Sequence, residues 1–159
     1  MLARRWVLTF CQVEAAPLWR SVYEDHGLTY RRTCIWVKPD GMPQYSGDRP
    51  AMGYETILAM HVRGKSEWNG GGRSSVFIHN KNSGGPHEHP TMKPERLMTE
   101  LISLFSVEGG IVLDPFLGAG TTALVALKAG RDFVGIELNA EYVAMAEKRI
   151  APYRNRLPW

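Results

Sequence analysis

One short stretch in the C-terminal part of this 159-residue chain limits its possible folds more than any other feature. It runs from Val112 to Thr122 and reads Val-Leu-Asp-Pro-Phe-Leu-Gly-Ala-Gly-Thr-Thr. Its apolar start is typical of a buried parallel strand, and the Ala- and Leu-rich residues after it are typical of a helix. The glycines in between allow the backbone to approach a ligand, and a helix N-terminus presents free N–H groups. We therefore predict a ligand site where this strand ends.

The rest of the chain alternates between strand-like and helix-like segments. Apolar, β-rich segments predict strands at residues 5–11, 28–37, 54–62 and 131–138, with a short β-like piece at 75–79. The spacing of apolar residues and the capping signals predict helices at residues 15–25, from 94 onward, at 118–129 and from 139 to 152. This alternation predicts an α/β fold with a largely parallel sheet, in a single domain over residues 1–159.

Neither the cysteines nor the histidines form a metal-binding pattern. Cys11 and Cys34 lie in apolar, strand-like surroundings, which favours buried thiols in a reducing compartment over a disulfide. His87 and His89 flank Glu88 in a loop, and no pair of Cys or His has zinc-finger spacing. We therefore predict that the chain holds no metal.

Two long polar segments, residues 38–53 and 63–90, interrupt the regular pattern. Loops of this length within a domain are usually functional or disordered. The interleaved basic, amide and aromatic groups of residues 63–90 suit contacts with phosphates and bases, and the net charge of +3 is compatible with a nucleic-acid partner. From these residues alone, we favour the plainer interpretation of a solvated, mobile surface. The candidates for DNA contact are Lys38, Arg49, Asn69, Arg73 and Lys81.

An acidic residue, Glu137, ends the strand that follows the glycine turn. In nucleotide-binding α/β folds an acid at this place accepts hydrogen bonds from ribose hydroxyls, although a strand-end acid can also simply face solvent. The third glycine of a dinucleotide fingerprint is replaced by Ala123, and no Gly-Lys-Ser/Thr of a phosphate loop follows. Asp114 would repel a pyrophosphate but attract a cation. S-Adenosylmethionine meets these demands, because it carries a ribose and an ammonium group and has no phosphate.

The sequence resembles the DNA amino-methyltransferases, which act on adenine N6 or cytosine N4. Asp114-Pro115-Phe116-x-Gly118-x-Gly120-Thr121-Thr122 is similar to the S-adenosylmethionine-binding motif of that family. His89-Pro90-Thr91-Met92-Lys93-Pro94 resembles the segment that precedes its cofactor strand, which usually has Gln at the position of Met92. Further matches cover nearly the whole chain, in the permuted order called the beta group: Trp36-x-Lys38, Gly47-Asp48-Arg49-Pro50, Tyr54-Glu55, Gly130-Arg131, Gly135-Ile136-Glu137, Tyr142 and Arg149-Ile150.

The resemblance implies a Rossmann-like methyltransferase sheet that is incomplete at its N-terminal side, with S-adenosylmethionine as cofactor. Loops 38–53 and 63–90 would face double-stranded DNA, from which such enzymes flip the target base. The resemblance also implies a cytoplasmic enzyme of a bacterium or a phage-infected host, without a membrane partner. The residues that it places around the cofactor are Asp114, Phe116, Gly118, Gly120, Thr121, Glu137 at the ribose, and Thr91 and Lys93 near the methionine end.

The family's catalytic motif, Asp/Asn/Ser-Pro-Pro followed by an aromatic residue, does not occur in these 159 residues, which contain no Pro-Pro pair. In the permuted order it would lie upstream of Arg5, on a strand between the predicted strands at 6–11 and 111–113. Without that strand, each of these two buried strands would have one edge with no hydrogen-bonding partner. We therefore favour a fragment or a late start. The alternatives are that a second chain or a homodimer supplies the strand, or that the chain is a degenerate remnant.

The sequence thus predicts a site-specific DNA methyltransferase, as a fragment or a partner-dependent form, with no catalytic residue in this chain. It would move a methyl group from S-adenosylmethionine to the exocyclic amine of adenine or cytosine, without a covalent enzyme nucleophile. The alternative function is a non-catalytic remnant that binds S-adenosylmethionine or DNA. The target base, the recognition sequence and a restriction partner are left open.

Overall fold

Two units, Met1–Lys81 (unit 1) and Asn82–Trp159 (unit 2), divide the chain, and each has its own sheet. The structure, a computed structural model, describes residues 3–81 and 92–154. No helix in these residues is long and apolar enough to cross a membrane.

Unit 1 is built on a four-stranded sheet in the order β1-β3-β2-β4. The strands are β1 (Trp6–Cys11), β2 (Leu28–Val37), β3 (Tyr54–Val62) and β4 (Val76–Ile78). A 3-10 turn, Val13–Ala15, and helix α1, Ala16–Asp25, connect β1 to β2. The sequence-based predictions of these strands and of α1 are confirmed to within a residue.

The direction of β3 corrects one expectation. β3 pairs antiparallel with both β1 and β2, and only β4 runs parallel to its neighbour β2. The prediction of a largely parallel sheet is therefore wrong for unit 1. β1 and β2 do run in the same direction, joined by α1, but β3 inserts between them. Alternation of strands and helices along the sequence carries no information about such an insertion.

The interior position of β3 explains its composition. Every residue from Thr56 to His61 is buried, as expected for a strand covered on both faces. Leu58 and Met60 of this strand pack with Leu28 of β2 in one core cluster. Cys34 is also buried, and burial raises the pKa of its thiol to about 11, so the group is a neutral, unreactive thiol.

In its described residues, 92–154, unit 2 combines a small parallel sheet with three helices. Helix α2 (Glu95–Phe105) precedes β5 (Ile111–Asp114), and α3 (Thr121–Lys128) connects β5 to β6 (Asp132–Gly135) before α4 (Ala140–Arg154). β5 and β6 pair in parallel, so β5-α3-β6 is a βαβ unit, as predicted. The predicted end of the last helix at residue 152 is wrong. α4 includes Pro152 and ends at Arg154, because proline in a last turn removes only one helical hydrogen bond.

The helices α2 and α4 of unit 2 both pack on α3, and α3 packs on the sheet. Leu97 and Leu101 of α2 are fully buried, and the core around α3 contains Ala123 and Leu124 with Ile150 of α4. Alternate sheet residues point the other way and are exposed: Ile111, Leu113, Val134 and, just after β6, Ile136. Among the described residues β5 pairs only with β6, and β1 only with β3, so each of these strands has one unpaired edge.

Candidate functional site

The chain leaves β5 through a turn that Asp114 stabilises with its side chain. Asp114 is the last residue of β5, and its Oδ1 accepts a hydrogen bond of 3.0 Å from the N–H of Phe116. The N–H of Leu117 then donates to the carbonyl of Ile136, just after β6, at 2.9 Å. These bonds hold the turn at the carboxyl ends of both strands, the edge where ligands bind in open α/β sheets.

Gly118 and Gly120 give this turn its shape. Both have positive φ angles, +54° and +82°, a conformation that residues with side chains rarely adopt. A Cβ on Gly118 would meet open space, whereas a Cβ on Gly120 would lie 2.6 Å from the Cβ of Ala146 in α4 and 2.9 Å from its Cα. Gly120 is therefore required for close helix packing as well as for its φ angle, and α3 begins directly after it.

Glu137 connects the end of β6 to the glycine turn. Its Oε2 accepts a hydrogen bond of 2.8 Å from the N–H of Gly118, and its Oε1 accepts one of 2.9 Å from the N–H of Asn139. The N–H groups of Asn139 and Gly118 lower the pKa of Glu137, so the side chain is a carboxylate at neutral pH. Because each carboxylate oxygen has two lone pairs, both can accept a further hydrogen bond from a ligand.

The residues predicted around a cofactor in this part of the chain lie at the edge where β5 and β6 end: Asp114, Phe116, Gly118, Gly120, Thr121 and Glu137. Phe116 is 87% exposed, so its ring is free to cover a ligand. Thr121 differs from the others, because its side chain is buried and Nη1 of Arg149 donates to its hydroxyl at 3.2 Å. Only its backbone N–H, in the first turn of α3, is left for a ligand.

The other two predicted cofactor residues belong to the segment before α2. Lys93 is half-buried and lies two residues before Glu95, whose Oε1 is 2.9 Å from Nη2 of Arg149. Arg149 also donates to the carbonyl of Ala119 in the glycine turn at 2.8 Å. Arg149 thus joins the segment around Lys93 to the turn. Thr91 lies outside the described residues, so its prediction stays a prediction.

Two residues at this edge were missed as site residues by the sequence reasoning. Leu138 follows Glu137 directly, and its side chain is 99% exposed, which places an apolar surface beside the carboxylate. Arg149 belongs to the Arg149-Ile150 family match in the sequence, but it was not predicted as a site residue. Its acceptors belong to segments about 30 and 54 residues earlier in the chain, so no local sequence signal could have identified them.

The residues predicted to contact DNA lie on or beside the loops of unit 1. Arg49, Asn69 and Arg73 are exposed on these loops. The backbone N–H of Lys81 donates to Oδ1 of Asp40 at 2.8 Å, which joins the two loops. The second predicted loop, residues 63–90, is described only as far as residue 81.

Lys38 is half-buried, and its charge is paired. Its Nζ lies 2.9 Å from Oε2 of Glu55 and 4.5 Å from the ring centroid of Trp36. The pair lines a cavity of about 380 Å³ where β1 ends and β3 begins. The residues around this cavity are Cys11, Gln12, Val13, Lys38, Met52, Tyr54, Glu55 and Thr56.

The sequence predicted no metal site anywhere in the chain. Within residues 3–81 and 92–154 no group of three or more His, Cys, Asp or Glu side chains could hold a metal ion. His87, Glu88 and His89 lie outside this range.

Comparison with known proteins identifies the family. A family model described as DNA methylase, for N6- and N4-methyltransferases, matches residues 65–148, which is more than half of the chain. The chain belongs to the N6/N4 DNA methylase family. This finding confirms the resemblance that the sequence motifs indicated.

The DNA methylase chain matches different shares of the lengths of two relatives. Type II methyltransferase M.XycI of Xanthomonas campestris pv. cyanopsidis is 36% identical over 148 residues, which cover 83% of the chain and 48% of the relative. DNA adenine methyltransferase YhdJ of Escherichia coli (strain K12) is 52% identical over 62 residues, 39% of the chain and 21% of the relative. The chain thus spans about half the length of M.XycI and a smaller part of YhdJ.

A solved structure with a similar fold is that of M1.HpyAVI in complex with SAM. The sequences of the two proteins are 30% identical, and their structures superpose with a TM-score of 0.79. The matched region covers 91% of the DNA methylase chain and 74% of M1.HpyAVI. The prediction of an α/β, Rossmann-like methyltransferase fold is therefore confirmed.

Proposed function

We propose that unit 2 binds S-adenosylmethionine at the edge where β5 and β6 end. The observation that carries this proposal is the presence of two carboxylates, Asp114 and Glu137, on either side of one glycine turn. No ion pair to either carboxylate is found within residues 3–81 and 92–154. Two unneutralised carboxylates attract a ligand with cationic groups and repel phosphates. Membership of the DNA methylase family supports the same ligand.

Each residue of the turn has a role in this proposal that follows from its contacts. Glu137 accepts hydrogen bonds from the ribose hydroxyls, since its two oxygens carry four lone pairs and the backbone N–H groups of Gly118, Leu138 and Asn139 do not use all of them. Asp114 binds the ammonium group with Oδ2, because Oδ1 already accepts the N–H of Phe116. The exposed side chains of Phe116 and Leu138 offer apolar surface for the adenine ring. Lys93 attracts the carboxylate at the methionine end.

We further propose that the protein methylates DNA and that residues 1–159 form part of one methyltransferase domain. When bound, S-adenosylmethionine supplies an electrophilic methyl group for the exocyclic amine of adenine or cytosine. The 159 residues contain no Pro-Pro-aromatic motif to hold that amine, so a segment outside them supplies it. The chain's match to about half the length of M.XycI is in keeping with such a segment.

Double-stranded DNA is the partner that we propose for the loops at residues 38–53 and 63–90. Exposed Arg49 and Arg73 would contact phosphates and thereby position the duplex, and Asn69 can contact phosphates or bases. The cavity beside Lys38 and Glu55 would receive the displaced base, because this ion pair offers both a donor and an acceptor to the polar edge of a base.

A methyl-transfer assay tests this function. DNA and tritiated S-adenosylmethionine are incubated with the chain alone and with a chain extended upstream by a segment that contains a Pro-Pro-aromatic motif. We expect label only with the extended chain, on N6-methyladenine or N4-methylcytosine after digestion to nucleosides.

Two outcomes would argue against it. Transfer by the 159-residue chain alone would show that the motif is not needed. A folded, cofactor-binding extended chain that leaves all DNA unlabelled would instead favour the non-catalytic remnant.

A further inference from the structure

Arg149 of α4 is largely buried, with 22% of its side chain exposed, and all its described partners belong to other elements of unit 2. Its Nη1 donates to the carbonyl of Ala119 at 2.8 Å and lies 3.2 Å from the hydroxyl of Thr121. It also lies 3.0 Å from Sδ of Met92, a weak acceptor. Its Nη2 donates to Glu95 at 2.9 Å. One guanidinium therefore connects the glycine turn to the segment before α2.

The bond to Ala119 fixes the peptide group between the two glycines of the turn. The carbonyl of this peptide accepts from Arg149, and its N–H, which belongs to Gly120, donates to the carbonyl of Leu117 at 3.0 Å. The peptide plane is thus held at both of its polar ends. Glycines alone would leave it free to rotate, because they allow a wide range of φ and ψ.

Glu95 holds the other side of the guanidinium in place. Its Oε1 accepts from Arg149, and its Oε2 accepts from Lys128 of α3 at 3.0 Å. Burial alone would raise the pKa of Glu95, but the hydrogen bonds and charges of Lys128 and Arg149 outweigh it and lower that pKa. The carboxylate therefore remains charged at neutral pH and keeps the planar fork of Arg149 directed at the turn.

We propose that Arg149 is a positioning residue for the cofactor site, which fixes the glycine turn and the segment Met92–Glu95 relative to each other. It acts through the Ala119 carbonyl and the Glu95 carboxylate and does not touch the cofactor. This inference rests on the proposed function, because Lys93 in that segment is assigned to the methionine end of the cofactor. A ligand that reaches both the turn and the segment depends on Arg149, whereas a ligand that reaches only the turn depends on it less.

Two non-reacting probes separate these cases in the 159-residue chain. S-Adenosylhomocysteine carries the amino-acid end, and methylthioadenosine lacks it. The variant Arg149→Lys keeps the positive charge but replaces the planar fork, whose Nη1 bonds Ala119 and whose Nη2 bonds Glu95, with a single nitrogen. By calorimetry we expect the affinity of this variant for S-adenosylhomocysteine to be about tenfold lower, the change typical of one lost charge-assisted hydrogen bond. Its affinity for methylthioadenosine should fall by less than about threefold.

Glu95→Gln is the second variant, and it keeps an acceptor for Nη2 while removing the charge. We expect this variant to bind S-adenosylhomocysteine with about threefold lower affinity, so the test stays decisive even if Arg149→Lys does not fold. The matched control is Arg20→Lys, since Arg20 forms a similar Arg–Glu pair with Glu24 on the surface of α1 at 3.1 Å. Binding of both probes should be unchanged in this control.

The inference is wrong if a folded Arg149→Lys chain binds both probes as the wild type does, which would leave only a role in stability. It is also wrong if both probes weaken equally, because the coupling of turn and segment would then be absent. A folded wild-type chain that binds neither probe would instead overturn the proposed function itself, and this inference with it.

Discussion

In unit 1 the carboxylate of Glu55 lies 2.9 Å from the Nζ of Lys38, whereas in unit 2 the carboxylates of Asp114 and Glu137 accept hydrogen bonds from backbone N–H groups. The first arrangement is an ion pair without net charge. The second keeps two negative charges at one edge of a sheet, because a backbone N–H orients a carboxylate without neutralising it. The comparison teaches that, within residues 3–81 and 92–154, the acids of unit 2 have no ion-pair partner and that of unit 1 has one, which is why we propose the unit 2 acids as the site for a cationic ligand.

The same two regions differ in how the backbone near these acids is held. In unit 2 the turn after Asp114 is fixed by packing of Gly120 against α4 and by bonds from Leu117 and Gly118 to the chain around β6. In unit 1 Glu55 lies on strand β3, and the residues predicted to contact DNA lie on or beside the loops at 38–53 and 63–81. A fixed turn suits one small ligand, and long loops suit the extended surface of a duplex.

The largest effect should come from Gly120→Ala, which tests whether the unit 2 turn is rigid. The new Cβ would lie 2.6 Å from the Cβ of Ala146, at a φ of +82°. We expect the free energy of unfolding to fall by about 3 kcal/mol, as the sum of overpacking and a left-handed backbone conformation. Urea denaturation followed by circular dichroism measures it.

Gly118→Ala is the matched control for that substitution. Its φ is also positive, at +54°, but the added Cβ meets open space. A loss of only about 1 kcal/mol is expected, from the backbone conformation alone. Equal losses in the two variants would show that packing against α4 does not constrain the turn.

Glu137→Gln and Glu55→Gln test the difference between the two kinds of acid directly. An amide at residue 137 has only one oxygen acceptor and no charge, so we expect S-adenosylhomocysteine to bind about tenfold more weakly. The same change at Glu55, whose charge is already matched by Lys38, should alter that affinity by less than about twofold. Calorimetry on both variants makes the measurement, and an equal response would remove the distinction between the units.

The smallest effect should come from Arg73→Ala, which tests the role of the unit 1 loops. We expect affinity for a DNA duplex to fall by about threefold, with a decrease of about 1 in the slope of log affinity against log salt. Fluorescence anisotropy at several salt concentrations measures both. Arg20→Ala on α1 is the control, because Arg20 is an exposed cation outside the loops. If the control changes the salt slope as much as Arg73→Ala does, the loops are not the DNA-binding surface.

The βαβ unit and its turn could be predicted from the sequence because their signals are local. The apolar run before Asp114, the glycines and the acid at 137 lie within one continuous stretch, and the structure has β5, α3 and β6 there. The direction of β3 could not be predicted, since it depends on which strands pair, and that is decided by packing between distant segments.

Side-chain contacts between distant segments could not be predicted from the sequence either. Lys38 was identified as a DNA contact from its charge and its loop, but its pairing with Glu55 joins residues 17 positions apart across two strands. Arg149 has acceptors on three separate segments, and periodicity on α4 indicates only that a cation stands there. Sequence patterns indicate which residues share an element, whereas tertiary packing determines which charges meet.

Calorimetric titration of the folded 159-residue chain with S-adenosylmethionine and, separately, with ATP tests the central claim most directly. Both ligands carry adenosine, so they differ mainly in the cationic amino-acid end of one and the phosphates of the other. The charges of Asp114 and Glu137 predict one binding site per chain for S-adenosylmethionine and at least about a hundredfold weaker binding of ATP. Binding of ATP with equal or higher affinity, or no binding of S-adenosylmethionine by the folded chain, would contradict the account.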